Sequence, residues 1–275
     1  MRALAVHPDV IVVVSGVWQT TATAVRSGDE AFLIDSPPLP EELDALPSLL
    51  EQAGFALRGL LVTHGDWDHL LARLAFPEAS LGVGESTATR LRAKPGEAHR
   101  RLREFDAQWY IEGRRALSLA DPQALPLPGR VSIGSDTVAE LELHPTAGHT
   151  ADGMAVWVPW AQVLVCGDYL SPVELPMISP ESGGSAEAYR ETLRRLEPLV
   201  QAAATVVPGH GMPMPGARAR EILAQDSAYL DQLLSGQQVT LPPGRRSATQ
   251  RQIHARNLSS RVRRPRSASP PRAGF

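Results

Sequence analysis

The sequence predicts a mixed α/β (α+β) domain, on three observations. Short runs of β-branched and apolar residues alternate with stretches of helical period. The alternation occurs in two similar halves, each with its own mixed sheet. Four clusters of His and Asp each fall directly after a run that reads as a strand.

The elements follow in order. The opening "MRALAVHPDVIVVVSG" has a single Arg before Pro8 and Asp9 interrupt the apolar run, so it reads as a first strand and not as a signal peptide. "VIVVVSG", "TATAVRSG" and "AFLIDSP" are broken by Gly, Asp and Pro and predict an antiparallel meander. "LPEELDALPSLLEQAG" changes period, with Leu43, Leu46, Leu49 and Leu50 on one helical face and Gly54 as the stop. "LRGLLVTH" is a buried strand, and the next helix is expected from His69 onward, with Asp66 or Asp68 as its cap. "ASLGVGES" is strand-like. Residues 85–130 show no clear strand and read as a helical insertion, with an amphipathic helix from Glu97 to about Tyr110.

"VSIGSDTVAELELHPT" predicts a hairpin turning at Gly134 to Asp136, followed by strands in "GMAVWVP" and "AQVLVCGD". Helix "SAEAYRETLRRLEPLV", strand "ATVVPGHG" and a helix over 216–234 complete a domain spanning 1–236. Residues 237–258 form a C-terminal extension that permits one more helix, about 247–257. The Pro, Ser and Arg-rich stretch 259–275 predicts a basic, disordered tail.

Bulk numbers narrow the partners. A chain of 275 residues with 43% apolar content can bury a sizeable core. Net charge is −3; nine Arg and no acid lie in 241–275, which leaves about −12 on residues 1–240. An acidic body and a tail almost free of aromatics argue against nucleic acid. Cys166 is the single cysteine, so no intramolecular disulfide and no all-thiolate zinc site can form. No apolar run approaches the ~20 residues needed to span a bilayer. The expectation is a cytoplasmic protein with a small-molecule substrate and no membrane partner, with a homo-oligomer left open.

The chemistry lies in "THGDWDH", with His64, Asp66, Asp68 and His69, then His149 in "TAGHTADG", Asp168 in "VCGDYL" and His210 in "VPGHGMP". Neutral imidazole and carboxylate suit zinc, manganese or iron, and seven such groups are enough for two ions bridged by a carboxylate. The bland alternative for "HGDWDH" alone is a solvated, helix-capping loop; the three downstream clusters weigh against it.

These four pieces, in this order, resemble the metallo-β-lactamase superfamily, which includes glyoxalase II, lactonases, β-lactamases and the iron-binding flavodiiron proteins. The similarity spans about residues 10–235 and implies a four-layer αββα sandwich. It departs at one position: the first motif of the family reads His-x-His-x-Asp-His, and here Asp66 replaces the second His. Carried over position by position, the resemblance implies one divalent metal on His64, Asp66 and His149, a second on Asp68, His69 and His210, and Asp168 between them. Zinc is the first expectation; the hard oxygen of Asp66 favours iron or manganese. Flavodiiron proteins similarly carry a carboxylate, a Glu, at that position.

The implied function is a hydrolase using a metal-bridged hydroxide on an ester, lactone or thioester, with Asp68 also orienting the hydroxide and Tyr169 a candidate donor to an oxyanion. β-Lactam and phosphodiester hydrolysis are the alternatives within hydrolysis. A di-iron redox protein, suggested by Asp66, and a non-catalytic metal-binding module are the alternatives outside it. Histidines 7, 99, 144 and 254 sit in no such motif and read as ordinary surface or core residues. Cys166 reads as a small buried filler, Trp67 as a pocket wall or packing residue, and Glu174 as a solvated loop carboxylate before a substrate contact. Arg100, Arg101 and Arg103 read as a solvated helix face before an anion-receiving one.

Overall fold

The structure is a computed structural model that describes residues 1–119, 121–134 and 139–262, with side chains up to 259. Its first half forms a seven-stranded sheet in simple order: β1 (Arg2–His7), β2 (Val10–Val14), β3 (Thr21–Ser27), β4 (Glu30–Ile34), β5 (Leu57–Val62), β6 (Ser80–Gly84) and β7 (Gln123–Leu125). The second half forms a six-stranded sheet. Its strands are β8 (Gly129–Ile133), β9 (Ala139–Pro145), β10 (Met154–Val158), β11 (Val163–Val165), β12 (Thr205–Val207) and β13 (Met214–Pro215), running in reverse order from one edge to the other.

Strand alternation builds the layers. In β2, Val10, Val12 and Val14 point into a core shared by the sheets, while Val13 points the other way. β10 does the same, with Met154, Val156 and Val158 facing the first sheet and Ala155 and Trp157 facing away. The outer face of the first sheet is covered by α1 (Pro40–Gln52), α2 (Ala72–Ala75), α3 (Glu85–Ala93) and α4 (Glu97–Gln108). The outer face of the second is covered by α5 (Ala186–Ala202), α6 (Gly216–Ser235) and α7 (Ala248–Val262). The expected αββα sandwich is therefore the observed one. In α5, Tyr189, Leu193, Leu196 and Val200 recur at helical spacing and are buried, and the Ser185 side chain caps the helix by accepting from the Ala188 amide. No helix among the described residues is long and apolar enough to cross a membrane.

Several local expectations are corrected. The N-terminal segment holds two strands, paired as a hairpin with the register Arg2 to Val14. The helix expected from His69 is a 3-10 turn, Trp67–His69, followed by the single turn α2, and neither Asp66 nor Asp68 caps it. Ser36 does that work instead: its hydroxyl donates to the Asp68 carbonyl and accepts from the Leu71 amide. The insertion does contain a strand, β7, whose three residues pair parallel with β6. It is too short, and too exposed on its outer edge, to carry a readable period. β8 and β9 pair antiparallel as expected, while Ser135 and Asp136 of their turn lie outside the described residues, as does the tail from 263. The last helix continues to Val262, past the boundary that composition places at 259.

Helix α7 and the segment before it lie against the second half of the molecule. Arg245 is almost fully buried, pairs with the buried Asp226 of α6, and donates to the carbonyls of Ser171 and Glu174. Burial pushes Asp226 up to about 6 even against the pull of Arg245. Removing the guanidinium leaves a carboxyl and two carbonyls buried without a partner. Arg245→Ala is therefore expected to lower unfolding stability by about 3 kcal/mol, read by denaturant titration; an unchanged midpoint would show that the extension adds nothing to the fold.

Candidate metal centre

Strand direction decides where the polar groups meet. β4 and β5 run parallel in the first sheet, and β11 and β12 run parallel in the second. β9 runs with them, because it and β11 flank β10 antiparallel. Asp35, His64, His149, Asp168 and His210 thus all leave the C-terminal ends of strands. Loop contacts close the two sheets over this edge: the Met154 amide donates to the Thr63 carbonyl, and the Thr21 amide to the Gly209 carbonyl.

All seven expected ligands converge. Nε2 of His149 lies 3.2 Å from Asp66 Oδ2 and 3.3 Å from Asp168 Oδ2, and Nε2 of His64 lies 3.7 Å from each of the same two oxygens. Beside this group, His69 Nε2 lies 3.2 Å from Asp168 Oδ1, and His210 Nε2 lies 3.4 Å from Asp68 Oδ2 and 3.5 Å from Asp168 Oδ1. The two oxygens of Asp168 thus face two different clusters. Ligand atoms held at about 2.1 Å around a tetrahedral cation stand about 3.4 Å apart, which is the spacing found here. His64 Nε2, His69 Nε2 and Asp168 Oδ1 are buried with no hydrogen-bond partner among the described residues. Polar atoms orphaned in this way, all turned to a common centre, fit divalent ions.

The opposite edge of three imidazoles lies within hydrogen-bond distance of an acceptor or hydroxyl, and that of His69 faces the Asp35 carboxylate without a hydrogen bond, so Nε2 is the atom presented inward. His149 Nδ1 is 2.7 Å from the Met177 carbonyl, and His210 Nδ1 is 3.3 Å from that of Trp18. His69 Nδ1 is 3.0 Å from Asp35 Oδ2. His64 Nδ1 is 3.2 Å from the Thr63 hydroxyl, which itself donates to Asp35. Such outer contacts fix tautomer and ring angle.

Asp66 reaches the centre with one oxygen. Its Oδ1 accepts from Arg90 Nη2 at 2.6 Å, and its Oδ2 faces His64 and His149. Arg90 also donates to Asp152 and to the Ser182 hydroxyl, and Asp152 in turn accepts from the Gly65 amide and the Thr87 hydroxyl. The guanidinium balances the negative charge that Asp66 brings in place of an imidazole. Arg90, Asp35 and Asp152 were not singled out from the sequence. Asp35 shows the same signature as the ligands, a carboxylate ending the apolar run "AFLI", whereas nothing marks Arg90 among the arginines of the insertion.

Other candidates fall elsewhere. The Tyr169 hydroxyl accepts from the His149 amide, and its ring packs 4.4 Å from that of Tyr189 inside the second core. It supports the His149 loop from behind, with its hydroxyl engaged by that amide. Cys166 is buried in the same core and donates to carbonyls of Tyr169 and Val207. Trp67 packs on Phe105 of α4 and on the half-exposed Trp18. Arg100 and Arg103 are exposed, and Arg101 pairs with Glu97 and Glu181. Glu174, read as a solvated carboxylate, groups with Asp168 and His210, one oxygen lying within 4.8 Å of a ligand atom of each.

The motif glycines have steric causes. Gly148 sits at φ +131°, and a Cβ there would meet the Tyr189 amide nitrogen at 2.1 Å. A Cβ on Gly209 would lie 2.2 Å from Asp168 Oδ1 and 2.9 Å from His69 Cε1. A glycine is thus required where the chain passes behind the shared carboxylate.

Charge is strongly coupled in the metal-free centre. Burial disfavours charge on His149, yet Asp168 and Asp66 outweigh it and raise its pKa to about 9. Burial likewise opposes the carboxylates, but their histidine neighbours hold Asp66 and Asp168 well below the usual range.

Residues 15–210 match the family described as the metallo-beta-lactamase superfamily. The chain belongs to that superfamily of hydrolases. Solved structures with the same fold include the DIM-1 metallo-β-lactamase, 18% identical, with a TM-score of 0.58 over 82% of this chain and 97% of that one. A metallo-β-lactamase family protein from Thermus thermophilus is 21% identical, with a TM-score of 0.58 over 84% of this chain and 83% of that one. The sec-alkylsulfatase Pisa1 from Pseudomonas sp. is 16% identical, with a TM-score of 0.65 over 85% of this chain but only 42% of its own. No curated protein matches the sequence.

This geometry sets two expectations for metal uptake. Metal must displace the His149 proton, so metal uptake at neutral pH is expected to release protons, with affinity climbing up to about pH 9. The ion pairs of the metal-free protein run the other way, being complete below about pH 6.5 and lost as pH rises through about 9. Calorimetry in buffers of different ionisation enthalpy reads the proton count; a count of zero would contradict the arrangement. Gly209→Ala is expected to displace Asp168 and reduce bound metal per chain, measured by elemental analysis against the wild type.

Proposed function

We propose that the chain is a metal-dependent hydrolase of a small-molecule ester, lactone or thioester. The observation that carries the reading is the split of Asp168, with one oxygen turned to His64, Asp66 and His149 and the other to His69 and His210, beside Asp68. In this reading His64, Asp66 and His149 hold one cation, Asp68, His69 and His210 hold a second, and Asp168 is shared. Bound there, divalent ions would supply Lewis acidity and lower the pKa of water from 15.7 in bulk to ~7.

The protein's own groups do the rest. The outer contacts of the four imidazoles turn every Nε2 inward. Asp68, only slightly exposed and turned to His210, would as a ligand also orient the attacking water. Asp66 offers one oxygen because Arg90 retains the other.

Two features favour a carbonyl substrate over a phosphodiester. Arg90, the cation in contact with the cluster, is already committed to Asp66 and Asp152 and is not free to clamp a phosphate. The indole of Trp18, half exposed, adjoins Trp67 and Phe105 and offers an apolar surface beside the motif loop.

Metal content and turnover should be measured on one preparation, with a panel of esters, lactones, thioesters, phosphodiesters, β-lactams and secondary alkyl sulfates. The expected result is two metals per chain and carbonyl-ester turnover that chelation abolishes and metal restores. Asp168→Ala should abolish turnover, and Asp66→His should move the metal profile towards zinc. Cleavage confined to phosphodiesters, sulfates or β-lactams would overturn the substrate class; oxygen or nitric oxide reduction by an iron-loaded protein without hydrolysis would overturn the reaction.

A further inference from the structure

The second cluster has a neighbour that the seven-residue motif does not include. Glu174 lies in the loop after Asp168, and one of its carboxylate oxygens is within 4.8 Å of ligand atoms of both Asp168 and His210. No described residue donates a hydrogen bond to that carboxylate, and the adjacent Asp168 Oδ1 is buried without a partner as well.

The placement of Glu174 is heavily built. Ser171 donates to the His210 carbonyl at 2.7 Å and accepts from the amides of Val173 and Glu174. From outside, Arg245 holds the carbonyls of Ser171 and Glu174, and Gln250 donates to that of Pro172. Asn257 donates to the Pro176 carbonyl and accepts from the Ile178 amide. Pro172 and Pro176 stiffen the segment further. Arg245, Gln250 and Asn257 all lie beyond residue 210, where the family match ends.

The energetics give this construction a purpose. Fixing a half-buried carboxylate beside Asp168 adds a further negative group to a cluster that already holds Asp68 and Asp168. A free loop would swing such a group into water. Here the extension keeps it turned inward, which is favourable when a cation occupies the space between the oxygens. Oxygens and nitrogens bound to one divalent ion at about 2.0 to 2.2 Å stand up to about 4.4 Å apart, so the three groups, all within 4.8 Å of one another, need to close by at most a few tenths of an ångström to share an ion.

We propose that Glu174 is an additional ligand of the second cation, held in place by the C-terminal extension. The proposal rests on the dinuclear reading given above. Its consequence is a second site of three carboxylates and two imidazoles, a donor set that favours manganese or iron over zinc.

The test is manganese binding to the full-length, metal-free chain, titrated against a competing chelator, for the wild type and for Glu174→Gln. The wild type should take up two equivalents. Glu174→Gln should bind the first unchanged and the second at least about tenfold more weakly, with a smaller loss for zinc. Wild-type affinity at both sites in the variant would overturn the proposal, as would equal weakening of both. A wild type that takes up fewer than two equivalents would instead sink the dinuclear reading. Should the variant fold poorly, an anomalous-difference map of manganese-soaked wild-type crystals decides: Glu174 oxygen at about 2.2 Å from the second ion supports it, and no contact refutes it.

Discussion

Carboxylates brought together away from water repel one another, and that repulsion is the constraint around which this molecule is organised. Asp66, Asp68 and Asp168 converge on a small volume with little access to solvent. In the metal-free protein His69, His149 and His210 offset that charge from within the cluster, and this is why they are held above their ordinary range despite burial. Arg90 compensates for Asp66 from the side. A fold can tolerate such a concentration of charge only if rigid elements prevent the side chains from turning outward.

The rigidity comes from the sandwich. Every ligand sits within a few residues of a strand end, and the strands are anchored by a continuous apolar core between the sheets. The loops themselves are short and bonded to one another through backbone groups, as in the Met154 to Thr63 contact. Behind the ligands, Asp35, Thr63, Met177 and Trp18 hold the imidazoles, and Tyr169 braces the His149 loop. Precision of this kind depends on the whole scaffold, because a displaced strand moves its ligand by the same amount.

Much of this was readable in the residues. Alternating apolar runs gave the strands, and leucine spacing gave α1 and α5, because both periods are direct images of which face is buried. The convergence of the seven candidate residues was legible because costly polar groups ended core strands and because His and Asp stood next to glycines. What the sequence concealed was mostly action at a distance. Arg90 is chemically indistinguishable from the other arginines of its insertion until the fold sets it against Asp66. Tyr169 adjoins Asp168 in sequence, yet the backbone turns its ring into the opposite core. The helix expected after His69 shrank to a turn because Asp66 and Asp68 face inward and are not available as caps. Strand β7 was hidden by its length, three residues being too few to display a period.

The partition of ligands between the halves has a further consequence. His64, Asp66, Asp68 and His69 hang from the seven-stranded sheet, whereas His149, Asp168 and His210 hang from the six-stranded one. Each of the two clusters draws on both. Ions seated there would therefore stitch the two layers together across their shared seam, tying residues about 80 to 140 positions apart in the manner of a covalent cross-link. In a polypeptide whose lone thiol is packed away in the second core, coordination chemistry would take over the stapling role that cystine bridges perform elsewhere.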